Sequence, residues 1–196
     1  MKENSAVRMI VTLVVIAVVV AGIMSVVNNI TAPVIAENAE KELNLALSEV
    51  MDADKFDKKA EKDGNALYLA TKNGEEIGVC IVWYTPGYGG DVKVLTGIDK
   101  NLTVTGVRIL EHSETPGLGA NSTKESFYTQ YNGKTKEIGV KKNSPGENDI
   151  QALSGATVTS KAVTKAVNTS LVEAEKYFAL KDNPTVLNFG EEDINE

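Results

Sequence analysis

Two short stretches gather residue types able to hold an anion beside a flat ligand. They are His112-Ser113-Glu114-Thr115-Pro116-Gly117-Leu118-Gly119 and Ser154-Gly155-Ala156-Thr157-Val158-Thr159-Ser160. The second joins a short apolar run to a long helical pattern. A helix start offers unpaired N–H groups and the positive end of a dipole, so it suits a phosphate group. Gly155 and Ala156 leave the backbone uncovered there. The competing reading is a helix N-cap, in which one Ser or Thr hydroxyl accepts an orphan N–H and stabilises the helix by about 1 kcal/mol. One cap needs one hydroxyl, and this stretch supplies Ser154, Thr157, Thr159 and Ser160. In the first stretch, Thr115-Pro116-Gly117 reads as a type II turn, with Pro at its second and Gly at its third position. Gly117 and Gly119 bare the backbone, and Leu118 between them is suited to lie on a flat ring. Read alone, the stretch is an ordinary surface loop.

Other chemistries are bounded by what the chain lacks. Cys80 is the only cysteine and His112 the only histidine, so this chain alone builds no disulfide and no Cys- or His-rich metal site. No G-x-G-x-x-G follows a strand, which removes support for a Rossmann site. Net charge is −7, with −8 of it carried by residues 31–196, and an acidic domain is a poor partner for nucleic acid. The apolar run of Cys80 reads as packing, His112 as a surface polar residue, and Trp83, Tyr84 and Tyr88 as core or as walls for a ring.

These stretches must be positioned by the elements around them. Met9–Val27 is 19 residues without a charge, enough to span a hydrocarbon core of about 30 Å as a helix. It exceeds the usual length of a signal-peptide core, so an uncleaved anchor is expected over a cleaved leader. Lys2 and Arg8 precede it and the next basic residue is Lys41, which orients the N-terminus to the cytoplasm. Ala32-Pro33 marks the membrane exit, and Leu43, Leu47 and Val50 give Ile35–Val50 a helical stripe. Met51–Gly64 is charged and reads as a solvated linker.

Strands follow at Ala66–Lys72 and Ile77–Tyr84 about Asn73-Gly74, and at Val92–Ile98 and Leu102–Leu110 about Asp99-Lys100-Asn101, with Gly106 a candidate bulge. Glu125–Tyr131 reads as a short helix, Ile138–Val140 as a short strand, and Thr159–Leu180 as a long amphipathic helix. The divisions are 1–8 N-terminal segment, 9–29 transmembrane anchor, 30–64 stalk helix and linker, 65–182 ligand-binding domain and 183–196 acidic tail. The expected fold class is α+β: an antiparallel sheet with packed helices on a single N-terminal transmembrane helix.

With Glu114–Gly119 and Ser154–Ser160 in this order behind one anchor, the chain resembles the G subunit of the Rnf complex. It is more distantly similar to the C subunit of the sodium-pumping NADH:quinone oxidoreductase. The resemblance implies an FMN joined covalently, by a phosphoester made by a flavin transferase, to Thr157. It makes Glu114, Thr115, Leu118 and Gly119 candidate ring contacts, and Ser154, Gly155, Ala156, Val158 and Thr159 candidate contacts near the attachment point. Many members carry an aspartate six residues before the threonine; here that position is Gln151, with Asp149 out of register. Lys161 is a candidate extra cation. The implied role is electron carriage on the outer face of a cell membrane. The carrier would belong to a complex that oxidises ferredoxin with NAD⁺ and moves Na⁺ or H⁺, alongside its other membrane and peripheral subunits. No general base, protein nucleophile or metal is implied. Two alternatives remain: a stand-alone anchored FMN protein, and an anchored scaffold whose hydroxyls only cap a helix.

Overall fold

The computed structural model describes residues 3–179. The chain divides into two units, one ending at Asn44 and the other starting at Leu45. The first unit is helix α1, Glu3–Val50, whose last residues belong to the second. Its apolar window is long enough to cross a membrane and none of it is buried. Pro33 lies inside the helix rather than ending it. The ring removes one backbone donor, which the continuing turns tolerate. The membrane-exit reading at Ala32-Pro33 therefore marks no break in secondary structure.

The second unit is a five-stranded antiparallel meander in the order β1-β2-β3-β4-β5. Its strands are β1 (Lys55–Lys62), β2 (Asn65–Lys72), β3 (Glu75–Pro86), β4 (Asp91–Asp99) and β5 (Val104–Glu111). Strand β1 corrects the expectation of a solvated linker over Met51–Gly64. Its lysines and acids lie on a sheet edge, where charge blocks pairing with a further strand. The turn that folds it back is Asp63-Gly64, with φ of 52° and 82°, as a two-residue hairpin requires. Asn73-Gly74 repeats this geometry between β2 and β3.

Each sheet face has its own cover. Leu67, Leu69, Val79, Ile81, Val92 and Val94 pack with Val163, Ala166, Val167, Leu171 and Ala174 of α3 (Thr157–Ala179). The expected helical stripe is thus the buried one, and α3 begins two residues before the expected Thr159. Beside it lie α2 (Glu125–Tyr128) and a 3-10 turn at Thr129–Tyr131, matching the short helix expected there.

On the other face, Gly97 and Gly106 stand opposite each other. A Cβ on either would meet Val50. Two glycines thereby admit the end of α1, where Leu47 and Val50 are buried and the Thr105 hydroxyl donates to Val50 O at 2.6 Å. The register shift between Gly97 and Ile98 places the bulge beside Gly106, as expected. Cys80 is buried in β3 and burial pushes its thiol up to about 12, so it is packing and not chemistry. Ile138–Val140 resolves into β6 (Gly139–Lys141), which pairs in parallel with β7 (Asp149–Gln151), a strand the pattern did not announce.

Candidate functional site

Both motif loops open onto one cleft of about 870 Å³. The first loop leaves β5 and turns at Thr115–Leu118, where Leu118 N donates to Thr115 O at 3.1 Å and Gly117 has φ 78°. That is the expected type II turn. The second leaves β7 and turns at Leu153–Ala156, where Ala156 N donates to Leu153 O at 3.1 Å and Gly155 has φ 73°. A Cβ on Gly155 would stand 3.0 Å from the Leu118 side chain, so the two turns meet there.

The four hydroxyls of Ser154–Ser160 divide into two pairs. Ser160 and Thr159 are buried. Ser160 Oγ accepts from Leu153 N at 2.9 Å and donates to Ala156 O at 3.0 Å, which ties the turn to the helix. Thr159 Oγ1 donates to Glu114 Oε2 at 2.8 Å. Ser154 is exposed and Thr157 half-buried, and both line the cleft. Among the described residues neither of these two hydroxyls has a hydrogen-bond partner.

Ser160 N donates to Ala156 O at 3.1 Å, which makes Ala156 the N-cap of α3. An alanine there supplies no capping oxygen. The N–H groups at the start of α3 therefore lack an intrahelical partner, and no acidic side chain occupies the first turn. The cap reading fails on this position: the hydroxyls surround the cap without performing it. What the helix start keeps is room and donors for an external anion.

Glu114 is 5% exposed and works as a brace. Its Oε1 accepts from Tyr88 N at 2.7 Å and Gly89 N at 3.2 Å, and its Oε2 takes the Thr159 hydroxyl. Burial opposes its ionisation, but the Thr159 bond, the two N–H bonds and the nearby His112 together hold its pKa below the usual carboxylate value. One carboxylate thus fastens the β3–β4 hairpin loop, the β5 exit loop and the first turn of α3. Gly119 is required beside it, since a Cβ would collide with Glu114 and stand 2.6 Å from Thr159 Oγ1.

All ten residues expected at the site border this cleft: Glu114, Thr115, Leu118, Gly119, Ser154, Gly155, Ala156, Thr157, Val158 and Thr159. Tyr88 borders it too, whereas Trp83 and Tyr84 do not. His112 lies outside its lining and accepts the Glu114 N–H at 3.2 Å through Nδ1. Lys161 is exposed and not on the lining. Lys142, Asn143 and Gln151 are; nothing in the sequence signals the first two, whereas Gln151 holds the position six residues before Thr157. They arrive through the parallel β6–β7 pairing, which a three-residue strand barely encodes.

Tyr88, Leu118 and Val158 are 74%, 44% and 53% exposed. They are large apolar side chains left uncovered around one concavity, the lining expected of a site for a flat ligand. Among the described residues no cluster of His, Cys, Asp or Glu is arranged to hold a metal.

Comparison with known proteins fits this geometry. Residues 87–172, which span both motif loops, match the FMN-binding domain family, and residues 1–50 match the RnfG N-terminal region. The chain is 36% identical to the G subunit of the Clostridium ljungdahlii proton-translocating ferredoxin:NAD(+) oxidoreductase complex, over 79% of this chain and 84% of that one. It is 43% identical to the G subunit of the Acetobacterium woodii Na(+)-translocating ferredoxin:NAD(+) oxidoreductase complex, over 54% of this chain and 53% of that one. The G subunit of an Aliivibrio fischeri ion-translocating oxidoreductase complex is 30% identical over 85% of this chain and 87% of its own. Among solved structures, Shewanella oneidensis NqrC superposes with a TM-score of 0.51 at 23% identity, covering 60% of this chain and 61% of that one. The C subunit of the Parabacteroides distasonis Na(+)-translocating NADH-quinone reductase gives 0.51 at 20% identity, covering 76% and 85%. These two show a shared fold.

Proposed function

The chain belongs to the G-subunit family of ion-translocating oxidoreductase complexes, and from that premise we propose that it carries electrons on an FMN esterified to Thr157. The carrying observation is the state of that hydroxyl. Thr157 opens α3, lines the cleft and has no partner among the described residues, while the hydroxyls of Thr159 and Ser160 are buried and bonded. A phosphoryl group on Thr157 would be held by the unpaired N–H groups of the helix start, which favour negative charge.

The residues present fit FMN. Gly119 leaves room for the Glu114–Thr159 bond under the loop and Gly155 for the Leu118 side chain, and Tyr88, Leu118 and Val158 offer apolar surface to a planar ring. Thr115 and the exposed Ser154 add hydroxyls on the lining. Bound FMN supplies electron transfer; the chain supplies a tether, an orientation and an electrostatic setting. Glu114 borders the cleft with both carboxylate oxygens engaged by the backbone and Thr159, so it serves as a brace for the ring-binding loop.

The relatives' names describe a complex that passes electrons between ferredoxin and NAD⁺ while moving Na⁺ or protons. In this reading the present chain is one electron-carrying member of such a complex. Helix α1 anchors it in the cell membrane. Lys2 and Arg8 keep the N-terminus cytoplasmic, and the FMN domain lies outside. The anchor carries no charge across its apolar run, so ion passage belongs to other subunits. A flavin transferase completes maturation.

The test is coexpression with a flavin transferase followed by a denaturing gel viewed under ultraviolet light. The native chain gives a fluorescent band, Thr157→Ala a dark one and Ser154→Ala a fluorescent one. A dark native band defeats the proposal. Co-purification with other membrane subunits separates a member of a complex from a stand-alone carrier.

A further inference from the structure

Reading the cleft as the FMN site leaves Lys142, Asn143 and Gln151 of its lining without a role, and of these only Lys142 is charged. Among the described residues, Lys142 is its only cation and Glu114 its only carboxylate. Lys142 stands directly after β6, where Ala152 N donates to Lys141 O at 2.8 Å. That bond holds the start of the 142–143 loop beside the segment leading into Ser154–Thr157. Some lysines of this unit are held by acids, as Lys93 is by Glu111 and Lys136 by Glu175, while others, such as Lys161 and Lys165, are not. Among the described residues Lys142 has no such partner. Lys161, although near in sequence to Thr157, does not line the cleft.

We infer that Lys142 sets the redox poise of the bound cofactor by stabilising negative charge on its reduced ring. The inference rests on the FMN reading above. Uptake of two electrons and one proton converts the neutral ring system into one carrying a single negative charge. A fixed ammonium group favours that product over the neutral oxidised ring, and so favours reduction. A cleft of this volume is on the order of 10 Å across, and exposed charges further apart than about 8 Å are largely screened at physiological salt. The charge therefore acts on a ring lying toward the Lys142 side of the cleft. The helix start already serves the phosphoryl group, which leaves the lysine free to act on the ring.

The experiment uses the full chain, matured with a flavin transferase and purified in detergent. The midpoint potential of the bound flavin is read by dithionite titration against mediator dyes, for the native chain and for K142Q, K142E, K142R and K161Q. K142Q is expected to shift the reduction equilibrium about tenfold toward the oxidised form, about 30 mV for a two-electron couple. K142E shifts it further the same way, and K142R and K161Q match the native chain. The protonation of the reduced flavin, followed by its absorbance against pH, moves to higher pH in K142Q. Only bound flavin is read after gel filtration, so a poorly loaded variant still reports a midpoint. Native midpoints in flavin-loaded K142Q and K142E overturn the inference while leaving the FMN reading intact. A native chain without bound flavin overturns both.

Discussion

Thr159 Oγ1 donates to Glu114 Oε2 at 2.8 Å, and this buried bond joins two segments 45 residues apart in sequence. It locks the first turn of α3, which begins at Thr157, to the loop that carries Leu118 and Gly119. Thr159→Val keeps the shape and removes the donor, leaving a buried carboxylate oxygen unpaired. The expected cost is about 1–3 kcal/mol, read as a lower urea midpoint at unchanged slope. Thr159→Ser retains the hydroxyl and loses less.

Acid sensitivity follows from the same carboxylate. The folded pKa of Glu114 lies below its ordinary value of 4.5, because the bonds from Thr159, Tyr88 and Gly89 and the nearby His112 outweigh burial. A group depressed on folding contributes stability above its unfolded pKa and loses it as pH falls through the folded one. Stability should therefore decline below about pH 4.5 and keep declining into stronger acid. Glu114→Gln cannot titrate. Its urea midpoint should be lower at pH 7 and vary less with pH on the acid side than the native midpoint.

Gly119 and Gly117 separate crowding from backbone strain. A Cβ on Gly119 meets Glu114 and Thr159, whereas one on Gly117 meets nothing within 4 Å. Gly119→Ala should cost about 1–3 kcal/mol through displaced neighbours. Gly117→Ala should cost about 1 kcal/mol, from its positive φ alone. Thermal unfolding of the two variants gives the order directly.

Much of this site was legible because its features are local. Proline before glycine at Thr115–Gly117 announces a type II turn, and a run of small and hydroxyl residues ahead of an apolar helical stripe announces a helix start. What the sequence concealed depends on partners distant in the chain. Strand β1 is charged at most positions, so its pattern looks solvated, and only the Asp63-Gly64 turn betrays a hairpin. Strands β6 and β7 are three residues each, too short for periodicity, and they bring Lys142 and Gln151 to the cleft. The bracing role of Glu114 was hidden because residue type does not reveal which way a carboxylate points.

The glycines under α1 offer a check on the fold that does not involve the cleft. A Cβ on Gly97 would stand 2.6 Å from Thr105 Oγ1 and 2.7 Å from Val50 O. Gly97→Ala must therefore displace the bond between Thr105 and Val50 O. A loss of about 1–3 kcal/mol is expected in urea denaturation, with flavin attachment preserved in the folded fraction.

The claim on which the account turns is the chemical state of Thr157, and intact-mass spectrometry of the matured chain reads it. The account predicts the polypeptide mass plus one FMN less one water, with the addition located by peptide fragmentation on Thr157 and absent from Thr157→Ala. A matured chain at the bare polypeptide mass, or one modified on Ser154 or Thr115 instead, would contradict it.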